Sequence, residues 1–149
     1  MINTRKCNNN IILAEDKGQE VIVLGKGIGF NSRIGDTVDM RLVEKIFVLQ
    51  EKTSVRRFQD ILAELPYEYM LLADKIVQYG KEQLQRPLNQ SLVIALAYHL
   101  NYVFARLQER RHVHLPLAWD MRRIYPVECT VGTESLHIIA KETGVVLPD

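Results

Sequence analysis

The chain has 149 residues, with 19 Lys plus Arg against 18 Asp plus Glu and a net charge of +1. With 47% hydrophobic and 25% charged residues it is a folded, mixed-charge sequence of one ordinary domain or two small ones, neither disordered nor fibrous. The balanced charge excludes bulk electrostatic binding to nucleic acid, so any such binding must come from a local patch. The longest apolar run, residues 92–97, is too short to span a bilayer.

Residues 11–14 and 21–24 are short apolar runs rich in β-branched side chains, separated by the turn signal Asp16-Lys17-Gly18, and read as a β-hairpin. Gly25, Gly27 and Gly29 interrupt the next stretch, residues 33–36 form another loop, and residues 43–49 supply a last strand. The reading is four short antiparallel strands in under about fifty residues, near the lower limit for burying an adequate core alone, so dimerisation is expected. Residues 50–54 read as a linker, after which the period changes. Leu65, Tyr69, Leu72, Ile76 and Tyr79 recur at steps of three and four, predicting an amphipathic helix over 66–84 with its proline in the first turn. Asn89 can cap the next helix, whose stripe is Leu92, Leu96, His99, Leu100, Val103 and Leu107. A third helix runs from about Glu128, with Gly132, Leu136, Ile139 and Ala140 on one face. Gly144 ends it as a left-handed cap and Pro148 blocks continuation. Shorter helices are predicted at 55–63 and 116–124. The fold class is α+β in two modules: a small four-stranded antiparallel sheet, then an all-α helical bundle.

Three clusters bear on chemistry. In Arg5-Lys6-Cys7-Asn8-Asn9-Asn10, the asparagine amides suit base edges and riboses and the cations suit phosphates; equally, asparagines stabilise turns by bonding backbone. In Gly25-Lys26-Gly27-Ile28-Gly29-Phe30, glycines admit a close partner, Lys26 can meet a phosphate and Phe30 can stack on a base. Alternatively, these glycines relieve crowding in a bent, bulged strand with Phe30 in the core. No Ser or Thr follows Lys26 and no helix follows the glycines, so neither a P-loop nor a dinucleotide fold fits. His99, on an apolar stripe, is either a core imidazole or a phosphate acceptor, since neutral imidazole is nucleophilic.

Other features are bland. His112 and His114 lack a third metal ligand nearby, His137 lies beside an apolar face, and Arg110-Arg111 and Arg122-Arg123 read as solvated faces or salt-bridge donors. Glu15-Asp16 sit in a turn, and no nucleophile–base constellation marks an active site, so an enzyme is not expected and neither metal nor cofactor is implied. Cys7 and Cys129 form neither metal-type spacing nor a disulfide framework, which fits a reducing cytoplasm. No basic region followed by an apolar stretch opens the chain, so a secretory signal is not expected.

Asn8-Asn9-Asn10, residues 21–30, Gly35-Asp36 and residues 43–47, in this order and spacing, resemble the co-antiterminator RNA-binding domain of bacterial sugar-operon antiterminators of the BglG/LicT/SacY type. Residues 65–69, Leu88-Asn89-Gln90-Ser91, His99, residues 116–119, Ile124-Tyr125-Pro126 and residues 144–148 resemble the first PTS-regulation domain of that family. The resemblance implies an RNA-binding domain over 1–52 and a regulation domain, incomplete at its C-terminal end, over 53–149. It further implies a homodimer that grips a hairpin in leader mRNA and prevents the overlapping terminator from forming. By position, Arg5, Asn8, Asn10, Gly25, Lys26, Gly27 and Phe30 fall on the RNA-contacting surface. His99 falls on a histidine phosphorylated by a sugar-specific transporter component or the general phosphocarrier of the PTS, without a membrane partner. Arg5 stands where the family commonly has lysine, which keeps the charge, and Tyr98 where it commonly has aspartate. The family's last helix of this domain, with a second histidine, and its second regulation domain lie beyond Asp149, a loss that RNA binding should survive better than phosphorylation control. The competing reading is a protein-interaction module that docks phosphotransfer proteins or a full-length antiterminator without useful RNA binding. A DNA-binding activator is disfavoured because no helix-turn-helix with a basic recognition helix is evident.

Overall fold

The structure, a computed structural model, describes residues 1–48, 52–109 and 117–147, and for residues 52–57 the backbone alone. Strands Ile2–Lys6 (β1), Ile11–Asp16 (β2), Gln19–Leu24 (β3) and Lys45–Val48 (β4) form an antiparallel meander in the order β1-β2-β3-β4. Lys17 and Gly18 close the central hairpin with φ of 50° and 77°, and two successive positive values give the primed turn whose twist matches the strands it joins. The register runs from Asp16 opposite Gln19 to Ile11 opposite Leu24. β1 carries a bulge between Asn3 and Arg5, which leaves Thr4 unpaired against β2.

The apolar runs of β2 and β3 are continuous rather than alternating because both faces of the sheet are covered. Ile11, Leu13, Ile22, Leu24 and Phe47 join one core with the helices. Ile12, Ala14, Val21 and Val23 form a second with Ile28 and Val38, so the long β3–β4 connection folds back over the sheet's other face. The sheet thus finds cover on both faces within one chain, and its small size alone does not require a partner.

Helices Lys52–Glu64 (α1), Tyr67–Leu84 (α2), Ser91–Gln108 (α3), Ala118–Ile124 (α4) and Pro126–Thr143 (α5) follow. Pro66, extended at the N-cap of α2, keeps α1 from running on. Asn89 accepts a hydrogen bond from the Ser91 N–H at 2.9 Å and starts α3, and Gly144 ends α5 with φ 73°. α2 and α3 pack through Met70, Ala73, Val77, Val93, Ala97 and Leu100, with Tyr69 stacked on Phe104 at 5.1 Å. β4 is tied to the helices by a Lys45–Asp74 ion pair of 3.3 Å and by the Val48 N–H donating to Gln90 Oε1 at 2.7 Å. No helix among the described residues is long and apolar enough to cross a membrane.

The structure departs from the sequence expectation in several places. The stretch interrupted by glycines is a run of turns, and the fourth strand is Ile2–Lys6. Lys52, Thr53 and Ser54, expected in a linker, lie in α1; Gln50 and Glu51 fall outside the described residues. Glu15 and Asp16 end β2 instead of entering the turn. α5 begins at Pro126, and Gly132, expected on its packed face, is exposed while Ile139 is buried. The buried face of α3 is Val93, Ile94, Ala97, Leu100 and Phe104, and His99 is exposed rather than seated on that face. Because hydrophobic residues sit on several sides of α3, the stripe read from spacing lies to one side of the packed one. The expected blocking role of Pro148 lies outside the described residues.

Two stability predictions follow from this packing. A Cβ on Gly25 would lie 1.9 Å from the Leu42 carbonyl oxygen, whereas one on the exposed helical Gly132 meets nothing within 4 Å. Denaturant titration should show Gly25→Ala losing about 1–3 kcal/mol and Gly132→Ala gaining about 0.5–1 kcal/mol. Burial pushes the Cys7 thiol from 9.0 up to about 11, with Arg5 opposing and Glu20 adding to the rise. The packed form is the neutral thiol, so its stability contribution is whole below pH 9.0 and is lost as pH climbs to about 11. Stability should fall by about 1–2 kcal/mol across that window, discounted for partial exposure, and the slope should be shallower in Cys7→Ala.

Candidate nucleic-acid interface

The hairpin register places Ile11 opposite Leu24, so the segments leaving its open end are neighbours. One is the asparagine cluster and the other the glycine run, and hydrogen bonds lock them together. The Gly25 N–H donates to the Asn10 carbonyl at 3.0 Å, the Gly27 N–H to Asn10 Oδ1 at 2.8 Å, and the Gly29 N–H to the Asn9 carbonyl at 2.9 Å. Gly27 has φ 75° with open space where a Cβ would stand, a conformation that favours glycine and leaves the backbone approachable. Gly25 instead passes close beneath the carbonyl of Leu42 in the 3-10 turn Met40–Leu42. Ile28 plugs the loop into the second core, with Gly29 buried beside it against the Asn8 carbonyl. Lys26 is exposed with no side-chain partner among the described residues, and the Phe30 ring is 65% exposed.

The seven residues expected to face RNA therefore fall into two groups. Lys26, Gly27 and Phe30 share the outer surface of the glycine turn, and Asn10 keeps its amide nitrogen free of partners among the described residues. Asn8 points into the fold: its Nδ2 donates to the carbonyls of Leu62 at 3.1 Å and Leu65 at 3.3 Å, and its Oδ1 accepts from the Asn10 N–H at 2.8 Å. Those carbonyls stand at the C-terminal end of α1, where the helix leaves acceptors unpaired. Gly25 is buried. Arg5, exposed on β1, donates from Nη1 to Gln59 Oε1 on α1 at 2.5 Å.

Chemically, the exposed surface offers an ammonium for a phosphate, a ring for stacking and amide groups for base edges. Two further exposed residues adjoin these in the chain: Asn9, singled out only as part of its cluster, and Asn31, not singled out at all. Asn31 has φ 58°, a value asparagine tolerates better than most residues, and its place directly after Phe30 was the available signal.

Elsewhere, His99 is exposed on α3, one turn before Tyr102, whose ring lies 5.2 Å beneath the Arg106 guanidinium. His137 is exposed and faces Glu134 at 3.4 Å. Arg122 and Arg123 are exposed on α4. Among the described residues no group of three or more His, Cys, Asp or Glu could hold a metal ion. His112, His114, Arg110, Arg111 and Pro116 lie outside the described residues.

Comparison with known proteins bears on both halves. Residues 1–56 match the CAT RNA binding domain and residues 74–149 match the PRD domain. The chain is 35% identical over 143 residues to the transcription antiterminator LicT of Bacillus subtilis, covering 95% of this chain and 52% of that protein. It is 36% identical over 143 residues to the beta-glucoside operon antiterminator of Dickeya chrysanthemi, covering 95% and 50%. It therefore spans about half the length of these curated relatives. The fold matches the crystal structure of GlcT CAT-PRDI with a TM-score of 0.78 over 99% of this chain and 89% of that one, at 24% identity, a likeness of fold. With both matches in this order along a sheet followed by a helical bundle, the chain belongs to the family of proteins that join a CAT RNA binding domain to a PRD domain.

Proposed function

We propose that this chain is the RNA-binding and first regulatory portion of a transcription antiterminator, working in the cytoplasm. As a homodimer it holds a leader-mRNA hairpin and so keeps the overlapping terminator of a sugar-utilisation operon from forming. The observation that carries this reading is the interlocked pair of turns, which leaves Lys26 and Phe30 both exposed on one loop held by Asn10. Lys26 meets a phosphate, Phe30 stacks on an unpaired base, Asn10 offers its amide nitrogen and Gly27 lets the backbone come close. Arg5 adds charge from β1. Asn8 and Gly25 serve the same surface from within, by holding the turns in shape. Binding of this kind needs no net positive charge on the chain, only cations such as Lys26 placed locally at the contact surface.

His99 is the proposed phosphate acceptor. Its exposure on α3 suits attack by its neutral imidazole on the phosphoryl group of a phosphocarrier or a sugar-specific transporter component, whose own side chain departs dephosphorylated, and the added charge would fall beside the Tyr102–Arg106 pair. A second reading, a docking module for phosphotransfer proteins or a full-length antiterminator without useful RNA binding, draws on a different observation. α4 and the start of α5 expose Trp119, Ile124 and Val127, an apolar surface of the sort that partners cover.

Two measurements separate these readings. In an electrophoretic mobility shift with a bulged leader hairpin, a Lys26→Ala, Phe30→Ala, Asn10→Ala triple variant should bind at least about 100-fold more weakly. Wild-type binding should also weaken as salt rises; undiminished binding by the triple variant removes the assigned surface. Labelled phosphate should pass from a cognate phosphocarrier to the wild type and not to His99→Ala. No transfer to the wild type removes the acceptor role and leaves the RNA surface standing.

A further inference from the structure

The glycine turn does not hold its shape alone. Two chains of hydrogen bonds reach it, and both begin at the corner between α1 and α2. In the first, the carbonyls of Leu62 and Leu65 accept from Asn8 Nδ2, Asn8 Oδ1 accepts from the Asn10 N–H, and Asn10 Oδ1 accepts from the Gly27 N–H at 2.8 Å. In the second, the Tyr67 hydroxyl donates to Glu44 Oε2, and Glu44 Oε1 accepts from the Lys26 N–H at 3.4 Å. Partial withdrawal from water and the bond to Glu44 together push the Tyr67 hydroxyl up to about 12, so it keeps its proton and stays a donor at neutral pH. Pro66 stands between the two origins, with φ fixed by its ring, and Leu65 is buried, so the corner is a stiff support.

We infer that Asn8, Glu44 and Tyr67 are positioning residues that transmit the placement of the α1–α2 corner to the turn presenting Lys26 and Phe30. The consequence for RNA rests on the reading of that turn as the RNA-facing surface. Neither Asn8 nor Tyr67 touches RNA in this scheme. They determine whether the backbone N–H groups of Lys26 and Gly27 are held, and so whether the turn that carries lysine and ring keeps its shape. A change in the helical half that moved the corner would be felt at the turn without altering any residue that contacts the ligand.

The test uses the whole chain, free and with a synthetic bulged RNA hairpin. Tyr67→Phe removes one hydroxyl and cuts the second chain. Asn8→Asp keeps the acceptor for Asn10 but loses both donors to the corner, cutting the first. Amide exchange followed residue by residue should quicken by about three- to tenfold at Lys26 in Tyr67→Phe and at Gly27 in Asn8→Asp. Exchange at Ile22 and Val23 in the centre of the sheet should stay unchanged, and Tyr79→Phe, which removes a hydroxyl outside both chains, should leave Lys26 and Gly27 as they were. RNA affinity should fall several-fold in both cut variants. Unchanged exchange at Lys26 and Gly27 overturns the inference, and so does an equal rise at Ile22 and Val23, which would signal general destabilisation. Faster exchange with undiminished RNA affinity overturns the positioning role. If the wild type itself fails to bind the hairpin while the exchange pattern holds, the RNA reading falls and the connection between corner and turn stands.

Discussion

The constraint on which this molecule depends is the use of asparagine side chains as substitute backbone. Asn10 accepts from the Gly27 N–H and Asn8 donates to carbonyls that the end of α1 leaves unpaired. Each bond removes a polar group that would otherwise be partly buried without a partner, which costs more than an ordinary hydrogen bond supplies. Two loops with poor intrinsic order are thereby shaped at little entropic expense beyond the side chains themselves. The exposure of Lys26 and Phe30 goes with that interlock: Gly27 and Gly29 are held by the asparagine segment and Ile28 is buried, so the side chains at the two ends of the turn are left to solvent.

The same economy governs the packing. One apolar core includes both the helix-facing side of the sheet and the α2–α3 pair, so the two halves are modules in sequence and a single body in their burial. The opposite side of the sheet is closed by the β3–β4 connection, which also carries the glycine turn. A surface for recognition is thus the rim of a packed layer, and its rigidity comes from the layer. The helical half is less evenly covered: α4 buries none of its residues, while α2 and α3 bury a face each.

The parts legible in the sequence are those decided by local chemistry. The β2–β3 hairpin, the start of α2 at its proline, the capping by Asn89 and the end of α5 at Gly144 depend on a few adjacent residues with strong conformational preferences. What could not be read depends on neighbours far along the chain. Asn8 and Asn10 look alike in sequence, yet one turns inward because the end of α1 happens to stand beside it. Gly25 and Gly27 look alike, yet one is crowded by Leu42 and the other opens to solvent. His99 shares its spacing with true core residues, and α3 has enough apolar side chains on several sides that periodicity does not single out the packed face. β1 was hidden because Thr4 bulges and charged Arg5 and Lys6 break the strand's apolar pattern.

The sequential order of the sheet has a consequence for synthesis. Every strand pairs with its immediate predecessor, and the central pair is closed by two residues, so the β2–β3 hairpin is local and quick to form while β4 must return across the long β3–β4 connection. The meander can therefore assemble while later segments are still being made on the ribosome. At that stage Ile11, Leu13, Ile22, Leu24 and Phe47 have no helices to cover them. A sheet formed at that stage would carry a bare oily side, which the helices together seal, and the end of α1 at Asn8 also fastens the turn.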